Sequence, residues 1–199
     1  MTRSTHLRAP TALAAALLAA LLLSAAPARA AQPASAGTAG ELSGFLVFGA
    51  GYGYGTGYHD GFGLGGRYRL SLIPEGLIQG RGTVRDSLDL EFGADLIRYR
   101  YGYRSPGLAY DYTWWAFRPR AGLMWNFWLT PQLALYPKLD LGYEFGWFDG
   151  WNDSAGPRPG YAGLFLEPSI GLIYRVRPAT SLRVELGSEG LKLGIGVAF

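Results

Sequence analysis

From Trp115 to Leu129 the odd positions read Trp115, Phe117, Pro119, Ala121, Leu123, Trp125, Phe127 and Leu129, while Arg118, Arg120, Gly122 and Asn126 fall between them. After Thr130-Pro131-Gln132 the pattern restarts. Leu133, Leu135, Leu139, Leu141, Tyr143, Phe145 and Trp147 share one phase, and Lys138, Asp140, Gly142 and Glu144 share the other. A period of two places successive side chains on opposite faces, so each stretch is a strand with one apolar and one polar face. The short Pro-containing connection joins them as a β-hairpin.

Six further segments fit the same period less regularly. Gly44–Tyr54 is Gly-rich and its facing is ambiguous. In Phe62–Leu72, Leu64, Tyr68, Leu70 and Leu72 oppose Arg67, Arg69 and Ser71. In Ser87–Tyr103, Leu88, Leu90, Phe92 and Leu96 oppose Asp89, Glu91 and Asp95, and the phase slips near Ile97, which predicts a bulge or an exit from the membrane. Tyr161–Val176 sets Leu164, Leu166, Ile170, Leu172, Tyr174 and Val176 against Glu167, Ser169 and Arg175. Ser181–Leu186 and Leu191–Phe199 complete eight strands, with both termini on one side. Connections 53–61, 104–111, 148–160 and 187–190 then lie outside, rich in Tyr, Gly and Asp, and the short 130–132 and 177–180 lie inside. Residues 73–86 form a long inner connection without a readable structure.

Volume decides which face meets what. An eight-stranded barrel has an interior only wide enough for its own side chains or one small ligand. The Leu, Phe and Trp of the apolar phase would overfill it, whereas Gly93, Gly122, Gly142, Gly146, Gly163, Gly171, Gly194 and Gly196 with scattered charges would fit. The expected fold is therefore all-β, an eight-stranded antiparallel up-and-down transmembrane barrel, apolar outside and polar within. Trp115 and Phe127 are twelve residues apart on one face; on a tilted strand this spans roughly 30 Å, near the ~25 Å apolar band between aromatic girdles. Trp125 and Phe127 mark one girdle, and Trp115 and Trp147 the other. The polar face carries Arg67, Arg69, Arg118, Arg120, Lys138, Arg175, Arg183 and Lys192 against Asp89, Glu91, Asp95, Asp140, Glu144, Glu167 and Glu185. This near-balance is what a closed, salt-bridged lumen requires, because a charge removed from water is costly unless paired.

The two ends of the chain bear on its address. Met1–Arg8 carries Arg3 and Arg8, Ala12–Ala26 is an uncharged Ala/Leu run, and Ala28-Arg29-Ala30 offers a small-x-small cleavage site. Residues 1–30 read as a signal peptide, 31–42 as a flexible lead-in, and 43–199 as the barrel. The chain has no cysteine, which excludes disulfides and a lipoprotein anchor, and a net charge of +3 is too small to argue for nucleic acid. Leu191–Phe199 ends on a bare aromatic. Lys192, Gly194, Val197 and Phe199 match the polar, Gly, apolar and terminal aromatic places of the C-terminal assembly signal of outer-membrane barrels. On these residues the chain resembles the small eight-stranded bacterial outer-membrane barrels of the OmpA and OmpX type. The resemblance implies the outer membrane, lipid as surroundings, the outer-membrane assembly machinery as partner of the C-terminal strand, and a monomer. No peptidoglycan-binding domain is expected after Phe199.

Chemistry is sparse. The one histidine beyond the leader is His59, in the first outer loop. Asp86-Ser87 is superficially similar to the Asp-Ser pair of the lipid A palmitoyltransferase but falls at the end of its strand opposite His59, and no His-x-Ser like that of the lipid A deacylase occurs. The expectation is a protein that is not an enzyme and has no cofactor and no metal site, Asp149 and Asp153 being too few for calcium. Gly49, Gly51, Gly53 and Gly55 lack the ending of a phosphate loop. Arg98, Arg100 and Arg104 interleave with Tyr99, Tyr101 and Tyr103 where the third strand leaves the outer leaflet, a pattern suited to lipopolysaccharide phosphates. The reading is a non-enzymatic barrel with Tyr-rich surface loops, for envelope integrity, lipopolysaccharide contact or adhesion. The alternatives are a lipid A-modifying enzyme or a narrow channel. The chain is expected to resist cold SDS and shift on boiling when outer-membrane fractions are compared by gel mobility, and a form lacking Phe199 is expected to assemble poorly.

Overall fold

The computed structural model describes residues 40–52, 58–78, 84–105, 108–149 and 161–199; the leader, most of the lead-in, Asp153 and the central parts of the longer connections lie outside this set. Eight strands follow in chain order: β1 Glu41–Tyr52, β2 Tyr58–Ile73, β3 Arg85–Ser105, β4 Leu108–Trp128, β5 Leu133–Asp149, β6 Tyr161–Arg177, β7 Thr180–Gly187 and β8 Gly190–Ala198. Each pairs antiparallel with the next, and β1 pairs with β8, closing an up-and-down barrel. Leu42 faces Val197, Phe45 faces Gly194 and Val47 faces Lys192 along the closing seam.

The cross-strand partners give the stagger. From Gly49 the ring runs through Gly190, Gly187, Ser169, Lys138, Met124, Asp89 and Ser71; Ser71 lies two residues past Arg69, the partner of Glu41, so the ring returns displaced by about ten residues from its start. For eight strands such a stagger tilts them by roughly 40° and leaves a lumen only as wide as its side chains.

Alternation sorts the two faces. Along β5, Leu135, Leu139, Leu141, Phe145 and Trp147 are exposed, whereas Tyr136, Lys138, Asp140 and Glu144 are buried. The outward apolar set continues round the wall through Leu64, Phe92, Leu96, Phe117, Leu166, Leu186 and Ile195. Buried ions within and large exposed aliphatics without make an inverted barrel, whose exterior is the surface of a membrane-spanning protein. Glycines make room inside: a Cβ on Gly122 would overlap the Asp140 carboxylate, and one on Gly194 would press on the Phe45 ring.

Several expectations change. β1 begins at Glu41 rather than in the mid-forties, and its facing is now defined: Ser43, Phe45 and Val47 point inward, Leu46 and Phe48 outward. No bulge occurs at Ile97, which keeps its register with Gly63 and Ala116. The apparent slip arises because Ile97 and Tyr99 are buried lumen residues, joining Phe45, Val47 and Ala116 in an apolar cluster with Trp114 packed against it. Irregularities sit instead at Ser71/Ile73 and Arg175/Arg177. Parts of the segments expected as outer loops are strand: 58–61 belong to β2, 148–149 to β5, and 104–105 and 108–111 to β3 and β4, which run 21 residues each and remain paired to Ser105–Leu108. By contrast β7 has 8 residues and β8 has 9. The rim opposite the termini is thus tall at β3–β4 and low at β7–β8, where Tyr161–Pro168 of β6 has no β7 partner among the described residues. Leu141, 57% exposed at mid-wall, offers a test of the membrane face. Leu141→Arg is expected to cost about 2–4 kcal/mol, measured as a lower urea midpoint in phospholipid vesicles.

Candidate functional site

Inward positions on neighbouring strands fall side by side, so charges spaced two apart along one strand meet opposite charges across the next. Arg67 on β2 reaches Asp95 on β3 at 2.5 Å and also donates to the Ala94 carbonyl at 2.9 Å. Glu91 accepts from Lys138 at 3.0 Å and pairs with Arg183 at 2.5 Å. Lys138 also holds Asp140 at 3.1 Å and Glu185 at 2.8 Å. Lys192 bridges Glu167 at 2.9 Å and Glu185 at 3.4 Å. Arg120 lies among Asp95 at 2.7 Å, Asp140 at 3.3 Å and Glu167. Arg118 pairs with Glu144, and Arg69 with Asp89 at 3.6 Å.

Two carboxylates outside the expected set complete this network. Glu41 takes Arg69 at 2.6 Å and approaches Arg183 at 3.9 Å. Glu189, in the β7–β8 turn, folds over the lumen to meet Arg118 at 2.5 Å and Arg120 at 3.2 Å. Glu41 was legible in principle, since it shares the phase of Ser43 and Phe45; Glu189 carried no signal, because turn residues have no face. Arg175 is set apart from the ion pairs, with its guanidinium 4.0 Å from the Trp128 ring centroid. Aromatic rings cover the charge layer at other points: Arg183 lies over Phe45 at 4.9 Å, and Arg120 over Phe165 at 5.1 Å. Met124, Ala134, Tyr136 and Ile173 form a second apolar cluster with Trp128 packed against it, beside the ion pairs of the termini end, where Met124 stands opposite Asp89. The lumen is filled by ion pairs interleaved with apolar and aromatic side chains.

What this interior can do chemically is limited. Arg67, Arg69, Arg118, Arg120, Lys138, Arg183 and Lys192 are each engaged by carboxylates, and no group of three or more metal-ligating side chains occurs among the described residues. Asp86 and Ser87 are adjacent in sequence but lie on opposite faces of β3. Ser87 points inward to Asn126 at 3.1 Å, and Asp86 points outward to the indole nitrogen of Trp125 at 2.8 Å, so they do not work on one substrate. The His59 side chain lies outside the described residues.

The basic cluster is on the exterior. Arg98 stands between Phe62 and Trp115, and Arg100 between Asp60 and Thr113, both exposed on the outward face. Tyr99, expected beside them at the interface, is turned into the lumen with its ring 5.3 Å from Trp114. Arg104 pairs in register with Ala109, and its side chain lies outside the described residues. Of the C-terminal positions, Lys192 is in the ion network and Gly194 under Phe45, while Val197 and Phe199 are exposed, the latter ring stacked 6.2 Å from Tyr68.

Removing one partner from a buried pair strands the other. Arg120→Met is therefore expected to lower unfolding stability in vesicles by about 3–5 kcal/mol, by urea titration. Arg175→Met, which removes a cation–π contact, is expected to cost about 1 kcal/mol or less.

No protein-family model and no curated protein matches the sequence. Among solved structures the chain is similar to Ail, the attachment invasion locus protein of Yersinia pestis, at 14% identity and a TM-score of 0.49, over 80% of this chain and 97% of that one. It is similar to Neisserial surface protein A at 15% identity and 0.45, over 80% and 96%. A de novo designed transmembrane β-barrel gives 17% identity and 0.43, over 80% and 95%. The register and the faces carry the assignment: the chain is a closed eight-stranded antiparallel barrel of the inverted, membrane-spanning type.

Proposed function

We propose that this chain is a non-enzymatic bacterial outer-membrane protein, exported by residues 1–30 and assembled through its C-terminal strand as a monomer. Its work is done on its outer surface rather than through its lumen. The observation that carries this reading is the continuous ion network from Glu41 through Arg183, Lys138 and Arg120 to Glu144, with apolar and aromatic side chains packed among its members. An interior filled by paired charges and rings offers no continuous water path, and an eight-stranded barrel has no spare width.

On this reading the termini face the periplasm and the tall β3–β4 extension faces outward. Arg98 and Arg100 then stand beside Trp115, at the girdle of the outer leaflet, where guanidinium groups donate bidentately to phosphate oxygens. Lipopolysaccharide is the partner this chemistry fits, with envelope integrity and adhesion as the processes it serves. Two outcomes are expected. Planar-bilayer recordings show no steady conductance, and a large stable pore overturns the closed lumen. Replacing Arg98, Arg100 and Arg104 together by Gln weakens co-purification of lipopolysaccharide with the folded barrel, and unchanged co-purification removes that assignment.

A further inference from the structure

At the end of the barrel that bears the termini, the described start of the β2–β3 connection, Pro74–Ile78, is held against the wall. Ile73–Gly76 closes a turn, with the Gly76 N–H donating to the Ile73 carbonyl at 3.1 Å. Pro74 presets its second position. Gly76 has φ +78°, and a Cβ there would overlap the Asp86 carboxylate. The chain then rises along the outside of the barrel, because Asp86 lies on the outward face of β3, opposite Phe127. The Leu77 N–H donates to Asp86 at 2.7 Å and the Ile78 N–H at 3.2 Å, and the Trp125 indole completes the set at 2.8 Å. Asp86 is left 4% exposed, whereas Leu77 and Ile78 are each 53% exposed and Val84 is open as well.

A carboxylate on a lipid-facing wall is costly unless its oxygens are satisfied and covered. Here three donors satisfy it, and the segment that brings two of them turns its own aliphatic side chains away from the barrel. These side chains continue the belt already described. Trp125 and Phe127 lie on the same face with rings 4.7 Å apart, and Leu72 is exposed just before the turn. We propose that Leu77 and Ile78, held against the outer wall by the Asp86 carboxylate and the Trp125 indole, form a lip that inserts into the phospholipid leaflet at the termini end. Its occupant is lipid, because the lip is continuous with the lipid-facing wall and its polar backbone is turned inward onto Asp86. The lip rests on the reading of the barrel as membrane-spanning.

The chain has no cysteine, so Ile78→Cys and, as a reference in mid-wall, Leu141→Cys can each carry a single environment-sensitive nitrobenzoxadiazole label. Both are refolded as the full chain in phosphatidylcholine vesicles, with the heat shift on gels confirming closure. The expected result is that the Ile78 label, like the Leu141 label, loses emission to lipids spin-labelled on the acyl chain and is shielded from aqueous iodide. Adding Asp86→Ala is expected to release the lip, so that iodide reaches the Ile78 label while the Leu141 label and the heat shift stay unchanged. An Ile78 label open to iodide and untouched by lipid, with Leu141 still quenched by lipid, overturns the lip alone, whether the segment meets water or a periplasmic protein. A Leu141 label untouched by lipid overturns the membrane reading and the lip together. An Ile78 label that ignores Asp86→Ala overturns the carboxylate clamp.

Discussion

Closure of β8 onto β1 is the constraint on which the rest depends. In hydrocarbon no water is available to satisfy a free strand edge, so the ladder must return to its own beginning. The return fixes the stagger, the stagger fixes the tilt, and together they fix the bore. Along the seam, the small residues Gly194 and Gly196 of β8 sit where Phe45, Glu41 and Ser181 need space. Larger residues at those glycines would push these inward groups out of place.

A bore of that width turns the lumen into a packing problem among charges. Arg, Lys and Glu bring long side chains that span the interior and meet partners on neighbouring strands and on strands beyond them. Arg120 on β4 reaches Asp95 on β3, Asp140 on β5 and Glu167 on β6. Lys138 on β5 reaches Glu91 on β3 and Glu185 on β7. Such cross-bracing favours one register, since a one-residue slip would turn every charge toward lipid. Buried ion pairs are weak evidence for net stability; their use here is to hold one arrangement of strands in a medium that drives apolar faces outward.

The outer wall carries two departures from a plain cylinder. One is the uneven rim, tall along β3–β4 and low at the β7–β8 turn, where Glu189 folds over Arg118 and Arg120. The other is the turn after β2, where Leu77 and Ile78 are drawn onto the wall by Asp86. In both cases an acidic side chain organises a turn, from inside the lumen in the first and from outside it in the second.

Period-two alternation is a property of each strand by itself, so the number of strands, the faces of those after β1 and most of the lumen charges were legible from residue order. The 115–129 and 133–147 hairpin shows this best. Where the period carried mixed residues the reading faltered. Ile97 looked like a slip because an apolar residue stood in the polar phase, yet β3 passes it in register, and its apolar neighbours Val47 and Ala116 come from other strands. Glu41, Glu189 and Asp86 acquire their roles only from partners far away in the sequence or from a turn that folds back, as Glu41 does with Arg69 and Arg183 and Glu189 with Arg118. Which face a residue takes was decided locally by the backbone pleat. Which charge it meets, how far each strand rises above the membrane and where a connection comes to rest were decided by closure, which sets the register of all eight strands at once.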